Sequence, residues 1–236
     1  MLLKALMVVL AVSYPLLAHM AVRADSVPLT VASIAVLALL VLLPGLLRGN
    51  VAAWLTALAI AGALALLSQQ SLIWLPLYAP AVLSDLVVAW VFARTLLPER
   101  IPLVLRIVRL LHPPDEHLNP GIPRYARRLT LAWAVLFSAL GLVSLTLALF
   151  AAPNGILLLV GIRPAVTVSQ HSWSVFANFI EYLIVAAFFA LEYGYRRHRF
   201  PEQPYSNVLD FLRRMRSVAP EAIVADGRRE GVPGPT

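Results

Sequence analysis

The sequence predicts an all-α protein: an integral membrane bundle of six transmembrane helices with short amphipathic interfacial helices. Three observations predict it. Of 236 residues, 60% are hydrophobic and only 13% charged, with a mean hydropathy of +0.81, whereas a soluble domain is about a quarter charged. Several apolar runs approach the length of about 20 residues that crosses a bilayer. The basic residues are also unevenly placed, as membrane topology requires. The absence of cysteine excludes disulfides, thiolate nucleophiles and Cys-ligated metals. The net charge of +7 follows from topology and does not call for a nucleic-acid partner.

The expected spans are residues 2–22, 28–47, 51–67, 71–93, 129–151 and 174–195, within a membrane domain of residues 1–200. Span one carries Lys4, Tyr14 and His19. It also has the outline of a secretory signal, but its length and the central Tyr14–Pro15 favour a retained helix. Tyr14 is expected to make an interior hydrogen bond, and His19 to sit in the interface. Span two is bounded by Arg23 and Asp25 before it, and by Pro44, Gly45 and Arg48 at its end. Span three has Ala53, Ala57, Ala61 and Ala65 four apart, a pattern that lets helix backbones approach closely. Span four is irregular on paper. Pro76 and Pro80 each remove a backbone donor, so its outer half is expected to be kinked or partly unwound. Asp85 follows near mid-depth. It serves either a transport site beside a broken helix or a structural hydrogen bond.

Residues 94–128 form a long basic connection. Within it, 101–112 place Arg106 and Arg109 among Leu103, Ile107, Leu110 and Leu111, the pattern of a short interfacial helix. The following stretch, with its prolines and glycine, reads as a rigid loop that includes Arg124, Arg127 and Arg128. His112, Asp115, Glu116 and His117 are ligand types whose spacing matches no zinc or metalloprotease pattern. No cofactor and no metal site is expected. Span five has Ser138, Gly141 and Ser144 on a small-residue face. An external loop over 152–173 holds an apolar run, 156–162, too short to cross. Beyond span six, a tail of residues 201–236 contains an amphipathic basic segment, 205–218, with Arg213, Arg214 and Arg216.

Span six carries the most informative polar pattern. A carboxylate in the hydrocarbon core costs about 2.5–3.5 kcal/mol on insertion scales, so it faces protein or water. Helical spacing aligns Ser174, Asn178, Glu181, Tyr182, Val185, Phe189, Glu192 and Arg196. Glu192 can pair with Arg196 one turn on. Glu181 must find its partner on another helix, and Tyr14 or Asp85 is expected. Tyr14, Asp85, Asn178, Glu181 and Tyr182 thus form the expected intramembrane polar site.

With six spans, 17 of the 19 lysines and arginines fall on the side of both termini, and only Arg23 and Arg163 on the other. Both termini are therefore expected in the cytoplasm. Trp54, Trp90 and Trp133 fall at inner ends, and Trp74 and Trp173 at outer ends, as an aromatic belt would. The expected basic cytoplasmic surface comprises Arg94, Arg106, Arg109, Arg124, Arg127, Arg128, Arg196, Arg197, Arg199 and the three tail arginines. Anionic lipid headgroups are its first expected partner. The chain contains no P-loop, GxGxxG, GxSxG or HExxH. An acyl or head-group transferase at the inner leaflet would have to use His112, Asp115, His117 and Glu192.

Three blocks carry a resemblance: FARTLLPERIPLVLRIVRLL, PRYARRLTLAWAVLFSAL, and SVFANFIEYLIVAAFFALEYGYRRHRFP followed by LDFLRRM. In this order they resemble an uncharacterised bacterial multi-pass inner-membrane protein family often encoded with aryl-polyene (xanthomonadin-type) pigment biosynthesis genes. The resemblance covers most of the chain and is strongest from Phe92 onward. The loop over 152–173 is longer than the family's. The resemblance implies a place beside a pathway that uses acyl carrier proteins and delivers lipid-like polyenes. It implies no catalytic residues. The expected function is a non-catalytic accessory component that docks or handles acyl or polyene intermediates at the cytoplasmic leaflet, with an oligomer among its expected assemblies. The alternative is a lipid or polyene transporter or flippase subunit using Asp85 and Glu181.

Overall fold

Helix boundaries follow from local chemistry. In the computed structural model, which describes residues 2–111 and 119–199, α1 spans Leu2–Arg23. A turn through Asp25 (φ 44°) leads to Ser26, whose side chain accepts from the Leu29 amide and caps α2, Val27–Leu47. Pro28 lies in the first turn, where no helical donor is lost. Gly49 takes φ +68°, a left-handed conformation that favours glycine. Asn50 then caps α3, Val51–Leu67, by accepting from the Ala52 amide at 2.9 Å.

A 3-10 turn, Ser71–Trp74, precedes α4, Leu75–Arg94. Next come α5, Leu103–Leu111, and the long α6, Ile122–Phe150. Two-residue strands β1, Ala151–Ala152, and β2, Val168–Ser169, pair in parallel around a loop that contains α7, Ile156–Leu159. The chain finishes with α8, Gln170–Val175, a π turn, Phe176–Ile180, and α9, Glu181–Arg199. Among the described residues, five helical stretches are long and apolar enough to cross a membrane, and α3 is a shorter apolar helix. The protein is an all-α membrane helical bundle, with 82% of the described residues helical.

The chain divides into two units. Unit 1 comprises residues up to Leu83 together with Leu142–Ala186. Its core gathers Ala18, Ile73, Trp74, Leu77, Tyr78, Ala148 and Trp173. Here α1 packs on α2, on α8 and on the π turn, and α2 packs on α3. Unit 2 comprises Ser84–Gly141 and the chain from Ala187. Two buried threonines fix the start of α5: Thr95 Oγ1 accepts from the Leu103 amide at 3.0 Å, and Thr130 Oγ1 from the Val104 amide at 3.3 Å. Phe92, Trp133, Phe137 and Phe188 pack ring to ring beside them.

Several expectations are corrected. The outer half of span four is irregular as expected, in the 3-10 turn Ser71–Trp74, but the irregularity is not at the prolines: α4 continues through Pro80. Pro76 falls in the first turn of α4, where a missing amide costs no bond. The residues of the expected rigid loop from Ile122 onward, including Arg124, Arg127 and Arg128, belong to the first turns of α6. The packing face of α3 is not the four-apart alanine row. Ala53 and Leu64 are buried, with Ala57, Ile60 and Leu67 between buried and exposed, whereas Ala61 and Ala65 are exposed. A 3.6-residue period drifts off a strict four-residue row within three turns. Trp74 and Trp173 are not boundary anchors; both are buried in the unit 1 core.

Candidate functional site

The buried polar side chains of unit 1 concentrate on one stretch. Gln170, Ser174, Asn178 and Glu181 recur at intervals of four, four and three, and all four are buried. The π turn lies within this series, closed by the Glu181 amide donating to the Phe176 carbonyl. Such wide turns are rare and recur at functional sites. A π turn uses more residues per revolution than an α turn, so it changes the face that later residues present. The contacts follow this change. Ser174, before the turn, meets α1: its Oγ lies 3.0 Å from His19 Nδ1. Glu181, after the turn, meets α6: Ser144 Oγ donates to Glu181 Oε2 at 3.4 Å. Asn178, inside the turn, donates through Nδ2 to the Ser174 carbonyl at 2.9 Å and to Ser174 Oγ at 3.2 Å.

The mouth of this series is polar as well. The His19 ring lies 5.3 Å from that of His171 and 5.1 Å from Phe179. Asn154 Nδ2 donates to Asp25 Oδ1 at 3.1 Å and to Gln170 Oε1 at 3.2 Å, while its carbonyl accepts from the Tyr78 hydroxyl at 3.0 Å. Trp173 packs edge-on against Tyr78 at 4.5 Å. Gln170 lies within hydrogen-bonding reach of the Tyr78 hydroxyl as well, and Trp173 Nε1 is a buried donor with no hydrogen-bond partner among the described residues.

The expected polar set is therefore partly regrouped. Asn178 and Glu181 lie on the buried series. Tyr182 is 58% exposed and leaves the face assigned to it, because the π turn resets the register on which that assignment rested. Tyr14 is half-buried against the unit 1 core. Asp85 is buried in unit 2, where α6 comes close: a Cβ on Gly141 would stand 3.0 Å from the Asp85 Cβ. His19, Ser144 and Ser174 complete the unit 1 series but were absent from the expected set. Ser174 shares the helical face read from sequence and Ser144 a small-residue face. Nothing in a single helix's periodicity says which neighbour such a face meets.

Unit 2 holds a second polar group. Tyr125 Oη donates to Glu192 Oε1 at 2.7 Å, and the same oxygen lies 3.1 Å from Arg196 Nε. The Glu192–Arg196 pair is the one its spacing suggested. Tyr125 ties it to α6. Glu192 is thereby engaged by both Tyr125 and Arg196. Arg124, Arg127 and Arg128 on α6 and Arg197 and Arg199 on α9 are exposed, and Arg127 also donates to the Leu96 carbonyl at 3.2 Å. Arg94 lies over the Trp90 ring at 4.7 Å, and Arg109 is exposed. Arg106 is corrected from the expected surface: it is buried, and its guanidinium donates to the Ile101 carbonyl at 3.4 Å. His112, Asp115, His117, Arg213, Arg214, Arg216 and the expected helix over 205–218 lie outside the described residues.

An apolar groove of about 440 Å³ runs between α2 and α3, lined by Ile34, Leu37, Leu42, Ile60, Leu64 and Pro76 among others. Near the α2–α3 turn the helices close tightly, and a Cβ on Gly45 would come within 2.8 Å of the Ala53 Cβ. No family model, curated protein or solved structure matches this chain.

Proposed function

We propose that the protein is a non-catalytic accessory component of a bacterial inner membrane, with both termini in the cytoplasm, that docks an acidic acyl carrier protein and handles its lipid-like acyl or polyene chain at the cytoplasmic leaflet. The observation that carries this is the arginine face of unit 2. The Tyr125–Glu192–Arg196 link joins the start of α6 to the end of α9. It leaves Arg124, Arg127, Arg128, Arg197 and Arg199 exposed around a neutralised core. Exposed guanidiniums of one sign attract an acidic partner and speed its encounter. The distribution of Arg and Lys along the chain supports the orientation. The α2–α3 groove supports the lipid-like cargo, since its lining presents hydrocarbon to a chain.

Anionic headgroups compete for the same arginines, at about 1 kcal/mol per basic residue. The test separates the two. The full chain in nanodiscs of zwitterionic lipid is offered an acidic acyl carrier protein at low and at physiological salt. Salt-sensitive capture is expected, with loss in the Arg124→Ala, Arg127→Ala, Arg128→Ala protein. Absence of capture at low salt would refute the docking role.

A further inference from the structure

We propose that Glu181 is the inner terminus of a proton-exchange path that enters unit 1 at the His19–His171 end of α1 and α8. This goes beyond the docking role, which uses a different unit and different residues.

The path is built from side chains whose spacing the structure gives. His19 Nδ1 and Ser174 Oγ are 3.0 Å apart, within the reach of proton transfer. Asn178 bonds the same hydroxyl at 3.2 Å, and Glu181 follows three residues later on the buried side. Ser144 holds the carboxyl from α6. At 1.5 Å per residue, Glu181 lies about 16 Å along the helix from Gln170. That is about half of a 30 Å hydrocarbon core. The series thus runs from a boundary to mid-depth and ends on an acid. Chains of Asp, Glu and His within spans are the usual parts of proton relays.

A second observation places water at the entrance. Trp173 Nε1 is buried with no hydrogen-bond partner among the described residues, on the same short helix as His171 and Ser174. Buried donors in a polar setting are met by internal water. The transfer balances with water and hydronium alone. His19 takes a proton at Nε2 from hydronium at the entrance and gives its Nδ1 proton to the Ser174 hydroxyl, and the hydroxyl yields its own to water beside the Asn178 amide; the imidazole then returns to its first tautomer by proton exchange with water. The water beside Asn178 protonates the Glu181 carboxylate, and release runs in reverse. The other titratable or charged groups around the path are Tyr14 and Arg23 on α1, His171 on α8, Tyr182 on α9, and, at the mouth, Asp25 and Tyr78 through Asn154. From α6 the group facing Glu181 is the Ser144 hydroxyl.

A membrane-permeant carbodiimide tests this, because it adds to the protonated form of a buried carboxyl. The full chain is reconstituted in vesicles, the pH is set independently on each side, and adduct at Glu181 is measured by mass spectrometry. Labelling is expected to fall as pH rises on the side bearing Arg23 and Asp25, and to ignore pH on the other side. After a pH step, Ser174→Ala and His19→Gln should slow the change by about tenfold or more, the contribution of a positioned transfer group. Should either variant fail to fold, the two-sided titration of the unaltered protein still decides. Labelling that follows the opposite side, ignores both sides, or never occurs at Glu181 would overturn the proposal. So would unchanged kinetics in both folded variants.

Discussion

Replacing Tyr125 by phenylalanine removes one oxygen and little else. The Tyr125 ring stacks on Tyr195 with centroids 5.9 Å apart, a contact that phenylalanine keeps. What is lost is the 2.7 Å bond to Glu192 Oε1. That acceptor is charged, and the side chains of Arg196 and Glu192 are only 11% and 7% exposed, so solvent replaces the bond poorly. A hydrogen bond to a charged group contributes about 1.5–3 kcal/mol. Glu192→Gln removes the charge that balances Arg196, and breaking a largely buried pair from one side costs about 3–5 kcal/mol. The Tyr125→Phe protein should lose about 2 kcal/mol. The double variant should lose less than the sum, since the tyrosine bond is already weakened once the carboxylate is gone. Equilibrium unfolding in mixed micelles, followed by far-UV circular dichroism, measures all four proteins. Effects that add within about 0.5 kcal/mol would show that the two side chains are not coupled and would refute the assignment of this link.

Three further outcomes are expected. Gly155→Ala should destabilise the protein, because its Cβ would collide with the Ala151 carbonyl oxygen, a backbone atom that cannot give way cheaply; Gly62→Ala, with open space around it, should be tolerated. The monodisperse fraction after detergent extraction compares them. Glu181→Gln keeps a partner for the Ser144 hydroxyl and should fold nearly normally, whereas Glu181→Leu strands it and should cost about 1–3 kcal/mol, read by the same unfolding assay. Tyr78→Phe removes the bond to the Asn154 carbonyl in the unit 1 core and should cost about 1 kcal/mol.

Local patterns were legible because their causes are local. Hydrophobic length makes the spans, and a four-residue interval brings Glu192 to Arg196 whatever surrounds them. Ser26 and Asn50 cap their helices with atoms only two or three residues away. The amphipathic stretch around α5 was readable, but the burial of Arg106 was not, because that depends on how α5 packs within unit 2. The tryptophans show the same limit. Trp74 and Trp173 stand at helix ends where a belt would place them, yet they fill the unit 1 core. An indole suits both places, and only the neighbours decide.

By itself the sequence determined the membrane class, the all-α architecture and the presence of a carboxyl that must be sheltered inside a span. Each rests on the energetics of transferring a segment into lipid, which is a sum over residues in order along the chain. The tertiary structure decided the partners. The π turn at Phe176–Ile180 carries Tyr182 outward and presents Glu181 to Ser144, and the packing of α1 on α8 brings His19 to Ser174 across 155 residues of chain. A helix's own period says which residues share a face; which helix that face meets depends on packing between segments far apart in sequence.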